Sequence, residues 1–270
     1  MPIHPWAATA ACIALLVPQF FVPYSTPVHS ITAHAHSAEA PVKKDRYYYE
    51  KRGDVVWEVK TDRPLIALTF DDGPDPKQTN AILDLLKQYG ARCTFFVIGK
   101  RVDAFPETAF RIVSEGHEIA NHTYNHTYFQ NSSPQQIQAD LKKTEEAIQR
   151  ATGEHSVLFR PPGGMFNEKL VATANSMGLK PILWSWHQDT KDWVRPGVAQ
   201  ITNKVLRNAH NGDIVLFHDH IEGKSQTIQA LATILPELTR RGFQFVTVSE
   251  LMKDASVPQQ SNQQSNLLPD

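Results

Sequence analysis

Cysteine is scarce: two residues in 270 cannot build a disulfide framework or a thiolate metal cage. Cys12 would leave with a cleaved leader, and Cys93 sits in an apolar run that suits a small buried hydrophobe. An excess of one charge is also missing. With 27 Lys+Arg against 28 Asp+Glu the net charge is −1, so there is no electrostatic footprint for nucleic acid. No internal repeat of fixed period is visible. The apolar run Ala7–Val17, extended past Pro18 by Gln19–Val22, falls short of the roughly 20 apolar residues of a membrane span. What is present is ordinary globular chemistry: 41% hydrophobic and 20% charged residues, too apolar for a disordered chain.

Residues 1–40 contain no Lys or Arg, and Glu39 is their only acid. The apolar run followed by Ala33-His34-Ala35 or Ala38-Glu39-Ala40 reads as a signal peptide with its cleavage site, although the n-region lacks a basic side chain. An uncleaved membrane anchor is the rival reading. Export, with the protein secreted or associated with the cell wall, is the expectation. Residues 41–62 read as a charged, tyrosine-rich connector anchored by Val55-Val56-Trp57. The Ser/Gln/Asn/Pro-rich segment 253–270 reads as a disordered tail.

Between 63 and 252 strand and helix signals alternate. Strands are expected at 65–70, 94–98, 118–120, 157–159, 180–184, 214–217 and 244–248. Helices are expected from Asp75-Pro76-Lys77-Gln78 to Gly90, over 104–114, from Ser133-Pro134-Gln135-Gln136 to Gly153, and over 167–177, 198–209 and 225–240. Asp75 and Ser133 each precede Pro at the first helical position and Gln at the third, the signature of a capped start. Repeated strand–helix units give an α/β fold with a mainly parallel sheet. About seven strands suggest a barrel, complete or not, forming a single catalytic domain.

The polar clusters fall at strand C-terminal ends, where such barrels build their sites. Thr69-Phe70-Asp71-Asp72-Gly73 places two adjacent carboxylates at the exit of a strand. Neighbouring side chains of extended chain point opposite ways, so one acid can hold a metal while the other stays free as a base. A capped, solvated turn is the plain alternative. His122 and His126 are four apart, as on one face of a helical turn, and can share an ion. Thr123 stands where a zinc-protease signature needs Glu, so that reading fails. With Asp72 they give two imidazoles and a carboxylate, a donor set with open positions for water and substrate. His117 is nearby but precedes a strand, where a structural role fits. Arg160, in Arg-Pro-Pro-Gly-Gly, is a fixed cation beside a rigid turn. Asp189-Thr190-Lys191-Asp192-Trp193 offers carboxylates beside an aromatic, and His218 follows an apolar strand where it can donate a proton near neutral pH.

Five motifs in this order, TFDDG at 69–73, HTYNH at 122–126, RPPGG at 160–164, DTKDW at 189–193 and LFH at 216–218, resemble the polysaccharide deacetylase family (the NodB homology domain, carbohydrate esterase family 4). The resemblance covers about residues 63–252. It implies a distorted (β/α) barrel that removes N-acetyl groups from amino-sugar polymers with a divalent metal, usually zinc, cobalt or another divalent ion being alternatives. By the same resemblance Asp72, His122 and His126 are the metal ligands, Asp71 the general base and His218 the general acid. Arg160 orients the base and Asp192 the acid. Trp193 and Leu216 wall the acetyl pocket. The third motif commonly reads RPPYG; here Gly163 keeps the backbone N–H that stabilises the oxyanion but loses an aromatic wall. Peptidoglycan (N-acetylglucosamine or N-acetylmuramic acid) is the first expected substrate and chitin-type oligosaccharide the second, with neither nucleic acid nor a protein partner implied. An inactive relative that stacks sugars on Trp184, Trp186 and Trp193, and an amidohydrolase of a non-sugar amide, are the rival readings.

Overall fold

The structure, a computed structural model, describes residues 44–255; the expected leader and the expected tail from residue 256 onward lie outside the described residues. Seven parallel strands carry the fold: β1 (Leu65–Asp71), β2 (Thr94–Val97), β3 (Glu118–Asn121), β4 (Leu158–Phe159), β5 (Lys180–Pro181), β6 (Asp213–His218) and β7 (Gln244–Phe245). Their order is β5-β4-β3-β2-β1-β6, with β7 paired to the start of β1 at Leu65 and Ile66. No ladder joins β5 to β6, so the barrel is incomplete. Two segments span that seam instead. Val56 bridges Ile182, Glu58 bridges Asp213, and Asp189 bridges Leu216.

Nine helices surround the described sheet: α1 (Arg46–Arg52), α2 (Gln78–Gln88), α3 (Gly99–Ala104), α4 (Pro106–Ser114), α5 (Pro134–Thr152), α6 (Glu168–Ser176), α7 (Val198–Asn208), α8 (Thr227–Arg240) and α9 (Val248–Ala255). Among the described residues no helix is long and apolar enough to cross a membrane. The α5 start is as expected: the Ser133 hydroxyl accepts from Gln136 N–H at 3.2 Å while the Gln136 side chain accepts from Ser133 N–H at 2.8 Å. Ile137, Leu141 and Ile148 are its buried stripe. At α2 the Asp75 carboxylate caps two N–H groups, of Lys77 and Gln78, each at 2.9 Å. The Gln78 side chain leaves that cap and donates to Ile221 O at 2.8 Å, and the helix proper begins at Gln78, two residues later than its signature suggests.

Several expected boundaries move, each for a local reason. The helix expected over 104–114 is two helices parted at Phe105, because the residue before Pro106 is disfavoured in helical geometry. The strand expected over 180–184 forms a ladder only at Lys180–Pro181, and beyond it Ile182 makes a single bridge to Val56 before the chain crosses the seam. The last strand ends at Phe245 rather than Val248. Thr247 and Glu250 form a reciprocal cap there, Thr247 N–H donating to Glu250 Oε2 at 3.0 Å and Glu250 N–H to Thr247 Oγ1 at 3.2 Å. The resulting α9 carries the chain in helix to Ala255, past the point at 253 where the tail was expected to begin. The connector is helical over α1, and its anchors Val55 and Trp57 are buried against Val171 and Leu183.

Strand periodicity decides which residues reach the site. On β1, Ile66, Leu68 and Phe70 join the large apolar layer under the helices, while Leu65 and Ala67 face the barrel interior. Side chains alternate along a strand, so Thr69 and Asp71 share the interior face. By the same alternation His218 follows Ile214 on β6, His122 follows Ala120 after β3, and Arg160 follows Leu158 after β4. Asp71, His122, Arg160 and His218 are thereby delivered to one mouth of the barrel.

Candidate metal and acid–base site

Asp71 ends β1 opposite His218 in the register of β6. Its Oδ1 accepts from Arg160 Nη1 at 2.7 Å, leaving Oδ2 turned toward His122, whose Nε2 is 3.9 Å away. Arg160 is fully buried and fixed on four sides. It also donates to Thr69 Oγ1 at 2.8 Å, Leu183 O at 2.9 Å and Ile182 O at 3.2 Å, and its guanidinium lies 4.0 Å from the Phe96 ring centroid. Burial lowers the Arg160 pKa and the Asp71 charge opposes the fall.

Asp72 leaves the strand in the left-handed region, with φ 78°. That twist separates the two carboxylates: Asp71 meets Arg160, and Asp72 meets the histidines. Asp72 Oδ1 lies 3.4 Å from His122 Nε2 and 3.3 Å from His126 Nε2. The residue is half-buried, but its Oδ1 atom is buried and completes no hydrogen bond at these distances. Burial pushes the Asp72 carboxyl up, but His122 and the neighbouring histidines outweigh it and hold it at about 2. His122 Nδ1 lies 2.8 Å from Arg160 O. A carbonyl only accepts, so Nδ1 carries a hydrogen, which leaves Nε2 as the nitrogen that a bound cation would use. An orphaned buried carboxylate oxygen between two imidazole nitrogens fits a divalent cation.

The expected helical turn at His122–His126 is absent. These residues lie in a loop, with Thr123 at φ 67° and His126 at φ 60°. Side chains hold its shape: Asn121 Oδ1 accepts from Thr123 N–H at 2.9 Å, and Asp140 Oδ1 from Tyr124 N–H at 2.7 Å. The two rings still converge, with centroids 5.2 Å apart, through backbone twist rather than helical spacing.

On the opposite wall His218 Nδ1 pairs with Asp192 Oδ1 at 2.7 Å. Asp192 is fully buried, and its Oδ2 accepts from His218 N–H at 2.9 Å and from Thr227 Oγ1 at 2.7 Å. Burial alone would lower the His218 pKa; the bond and charge of Asp192, with Asp71 and Asp72, reverse this and raise it to about 9. The dyad leaves His218 Nε2 as the nitrogen not engaged by Asp192.

A cavity of about 320 Å³ joins these groups, lined by Asp71, Asp72, His122, His126, Tyr128, Gly163, Trp184, Asp189, Trp193, Leu216 and His218. Trp193 is exposed at its rim and Leu216 buried at its base. Gly163 has φ 60° and faces Tyr128: a Cβ there would sit 3.2 Å from the Tyr128 ring. Tyr128 comes from the histidine loop and puts an aromatic ring beside the position where the third motif lacks one. The next glycine, Gly164, receives Trp184, whose ring a Cβ would meet at 2.8 Å. His117 is apart from the site, accepting from Cys93 N–H at 3.2 Å, and burial lowers it to about 4. Cys93 is fully buried.

Asp219 is a site residue that the sequence reading passed over. It is fully buried, its Oδ1 accepts from Gly73 N–H at 2.9 Å, and its Oδ2 accepts from Thr79 Oγ1 at 2.6 Å. Burial, with Asp72 nearby, pushes it up to about 7. A Cβ on Gly73 would lie 2.1 Å from Asp219 Oδ2, so this carboxyl seats the turn that aims Asp72. Its signal was a carboxylate immediately after the strand, in His218-Asp219-His220.

The polysaccharide deacetylase sequence family matches residues 58–182. A peptidoglycan-N-acetylglucosamine deacetylase of Bacillus cereus is 50% identical over 204 residues, covering 76% of this chain and 95% of the relative. The peptidoglycan-N-acetylmuramic acid deacetylase PdaC of Bacillus subtilis is 37% identical over 193 residues, 72% of this chain and 40% of that longer relative. Among solved structures, a peptidoglycan N-acetylglucosamine deacetylase in complex with a substituted benzamide superposes with a TM-score of 0.74 at 33% identity, covering 77% of this chain and 97% of that one. Deacetylases of this family are metal-dependent, and the Asp72, His122 and His126 donors lie together as such a group requires. Half of the aligned residues are identical to a relative that the chain covers almost end to end: the chain belongs to the polysaccharide deacetylase family.

Proposed function

We propose that this chain is a zinc-dependent N-deacetylase of amino-sugar polymers, with peptidoglycan its first substrate, and that it is exported by residues 1–40. The observation that carries the reading is one cavity with a carboxylate on one wall, a His–Asp dyad on the other and a three-donor cation group between them. Asp72, His122 and His126 would hold the ion; two imidazoles and a carboxylate suit zinc, and cobalt accepts the same set. When bound, a divalent ion supplies Lewis-acid polarisation of an amide carbonyl and makes water more acidic.

The chain's own groups divide the remaining work. Asp71, held at Oδ1 by Arg160, offers Oδ2 to take a proton from the attacking water. The Gly163 N–H donates to the oxyanion forming on the acetyl carbon; losing one such donor typically costs about 10²–10³ in rate. His218 delivers a proton from Nε2 to the departing nitrogen, since an amide nitrogen leaves as an amine and not as an anion. Asp192, bound to Nδ1, fixes which nitrogen does this. Tyr128, Trp193 and Leu216 enclose the acetyl group. The products are acetate and a glucosamine- or muramic-type amine. The relatives that act on peptidoglycan support the choice of polymer.

The test is purified protein incubated with peptidoglycan and with N-acetylglucosamine oligosaccharides, measuring acetate and analysing the sugars after hydrolysis. De-N-acetylated peptidoglycan sugars are the expected product. Acetate from neither polymer would overturn the reading, and acetate from the oligosaccharides alone would move the substrate to the chitin class.

A further inference from the structure

Away from the cavity, at the opposite end of β6, a second group of imidazole and carboxylate donors converges. Asp213, the first residue of the strand, is buried, and its Oδ1 lies 2.8 Å from His187 Nε2. His187 Nε2 is in turn 3.4 Å from His210 Nδ1, and His210 Nδ1 is 4.0 Å from Asp213 Oδ2. The two rings stand edge to face, with centroids 5.1 Å apart. Asp213 is already oriented from behind: its Oδ2 accepts from the Gln188 side chain and from His210 N–H, each at 2.8 Å.

The chemistry favours a shared cation. A neutral His187 ring satisfies one neighbour at a time: with hydrogen on Nε2 it serves Asp213, and without it Nε2 accepts from His210 but opposes the carboxylate. A tetrahedral ion with bonds of about 2.0–2.1 Å separates its ligand atoms by about 3.3 Å. His187 Nε2 lies 2.8 Å from Asp213 Oδ1 and 3.4 Å from His210 Nδ1, on either side of that spacing, and one donor atom from each of the three residues lies within 4.8 Å of the others. Within the candidate catalytic site the corresponding separations are 3.3 and 3.4 Å. His218 is five residues along β6, about 16 Å away at roughly 3.3 Å per residue, so one ion cannot serve both groups.

We infer that His187, His210 and Asp213 form a second, structural site for a divalent transition-metal ion of the zinc class. Its place in the fold suggests its role. The group sits on the seam where β5 and β6 share no ladder, next to the Glu58–Asp213 bridge and the Ser185 N–H bond to Ile214 O at 3.0 Å. An ion there ties the seam-crossing strap that carries His187, the turn that carries His210, and the start of β6. His210 is the exposed member of the group.

The experiment uses untagged full-length protein dialysed against Zn²⁺, with bound zinc measured by plasma mass spectrometry. Wild-type protein should hold two equivalents, and His210→Ala and Asp72→Ala one each. His210 is exposed, so its replacement leaves the fold intact, and acetate release by H210A should be unchanged. Added zinc should raise the Tm of D72A and not that of the D72A/H210A double variant. No loss of bound zinc from wild-type protein to H210A, or equal zinc responses of the two Tm values, would overturn the inference. The difference between wild-type protein and H210A is independent of whether the chain deacetylates anything.

Discussion

Asp192→Asn tests the acid half of the site most sharply, because the structure gives the size of the effect. The His218 ring rises from 6.5 to about 9 against the opposing cost of burial, chiefly through its bond to Asp192 and the charge of that carboxylate. At about 1.4 kcal/mol per pKa unit this corresponds to about 3 kcal/mol favouring the protonated ring. Asn keeps the shape and removes the charge, and the pKa should fall to near 6.5 or below. At pH 8 the protonated fraction then drops about thirty-fold, while at pH 6 it changes little. The assay is acetate release across pH 5–10. The alkaline limb of kcat/KM should move to lower pH in the variant, and the loss that persists at pH 6 reports misorientation of the ring. Stability follows the same sign. A folded pKa above the unfolded one stabilises the protein fully below about pH 6.5, and that contribution is lost as pH rises through about 9. The variant should therefore show a smaller Tm difference between pH 6 and pH 10. An unmoved alkaline limb in folded D192N would refute the assignment of His218 as the proton donor.

Three further substitutions probe the other walls. Asp71→Asn should lower kcat by about 10²–10⁴ while the Asp72 group still binds zinc, measured by acetate release and zinc titration; undiminished turnover would remove Asp71 from the mechanism. Gly73→Ala drives a methyl group into Asp219 and should cost about 1–3 kcal/mol of stability and weaken zinc binding by displacing Asp72, read by denaturation and titration. Tyr128→Ala should raise KM about tenfold with a smaller change in kcat, since the ring encloses substrate without touching a transferred proton; a loss confined to kcat would place Tyr128 in the chemistry.

Much of the site was legible because its residues follow strands whose alternation is plain in sequence. Asp71, Arg160 and His218 inherit their direction from the inward parity of Leu65, Leu158 and Ile214. What defeated local reading depends on backbone twist or on distant neighbours. His122 and His126 suggested a helical turn by spacing, and the left-handed residues Thr123 and His126 bring them together in a loop instead. Asp219 meets Gly73 across 146 residues of chain, a contact no window on the sequence contains. Tyr128 restores an aromatic face beside Gly163 from a different loop, so a substitution within one motif is answered outside it. Two errors had local signals. Phe105-Pro106 marks a helix break, and Thr247-Val248-Ser249-Glu250 is a capping signature that outweighed the apolar run before it.

The central claim is that Asp72, His122 and His126 hold the ion on which amide hydrolysis depends. It is tested most directly by acetate release from purified peptidoglycan before chelation, after chelation, and after zinc is returned. Release should disappear with the chelator, return with zinc in wild-type protein, and fail to return in Asp72→Ala. Release that survives complete removal of metal would contradict the account.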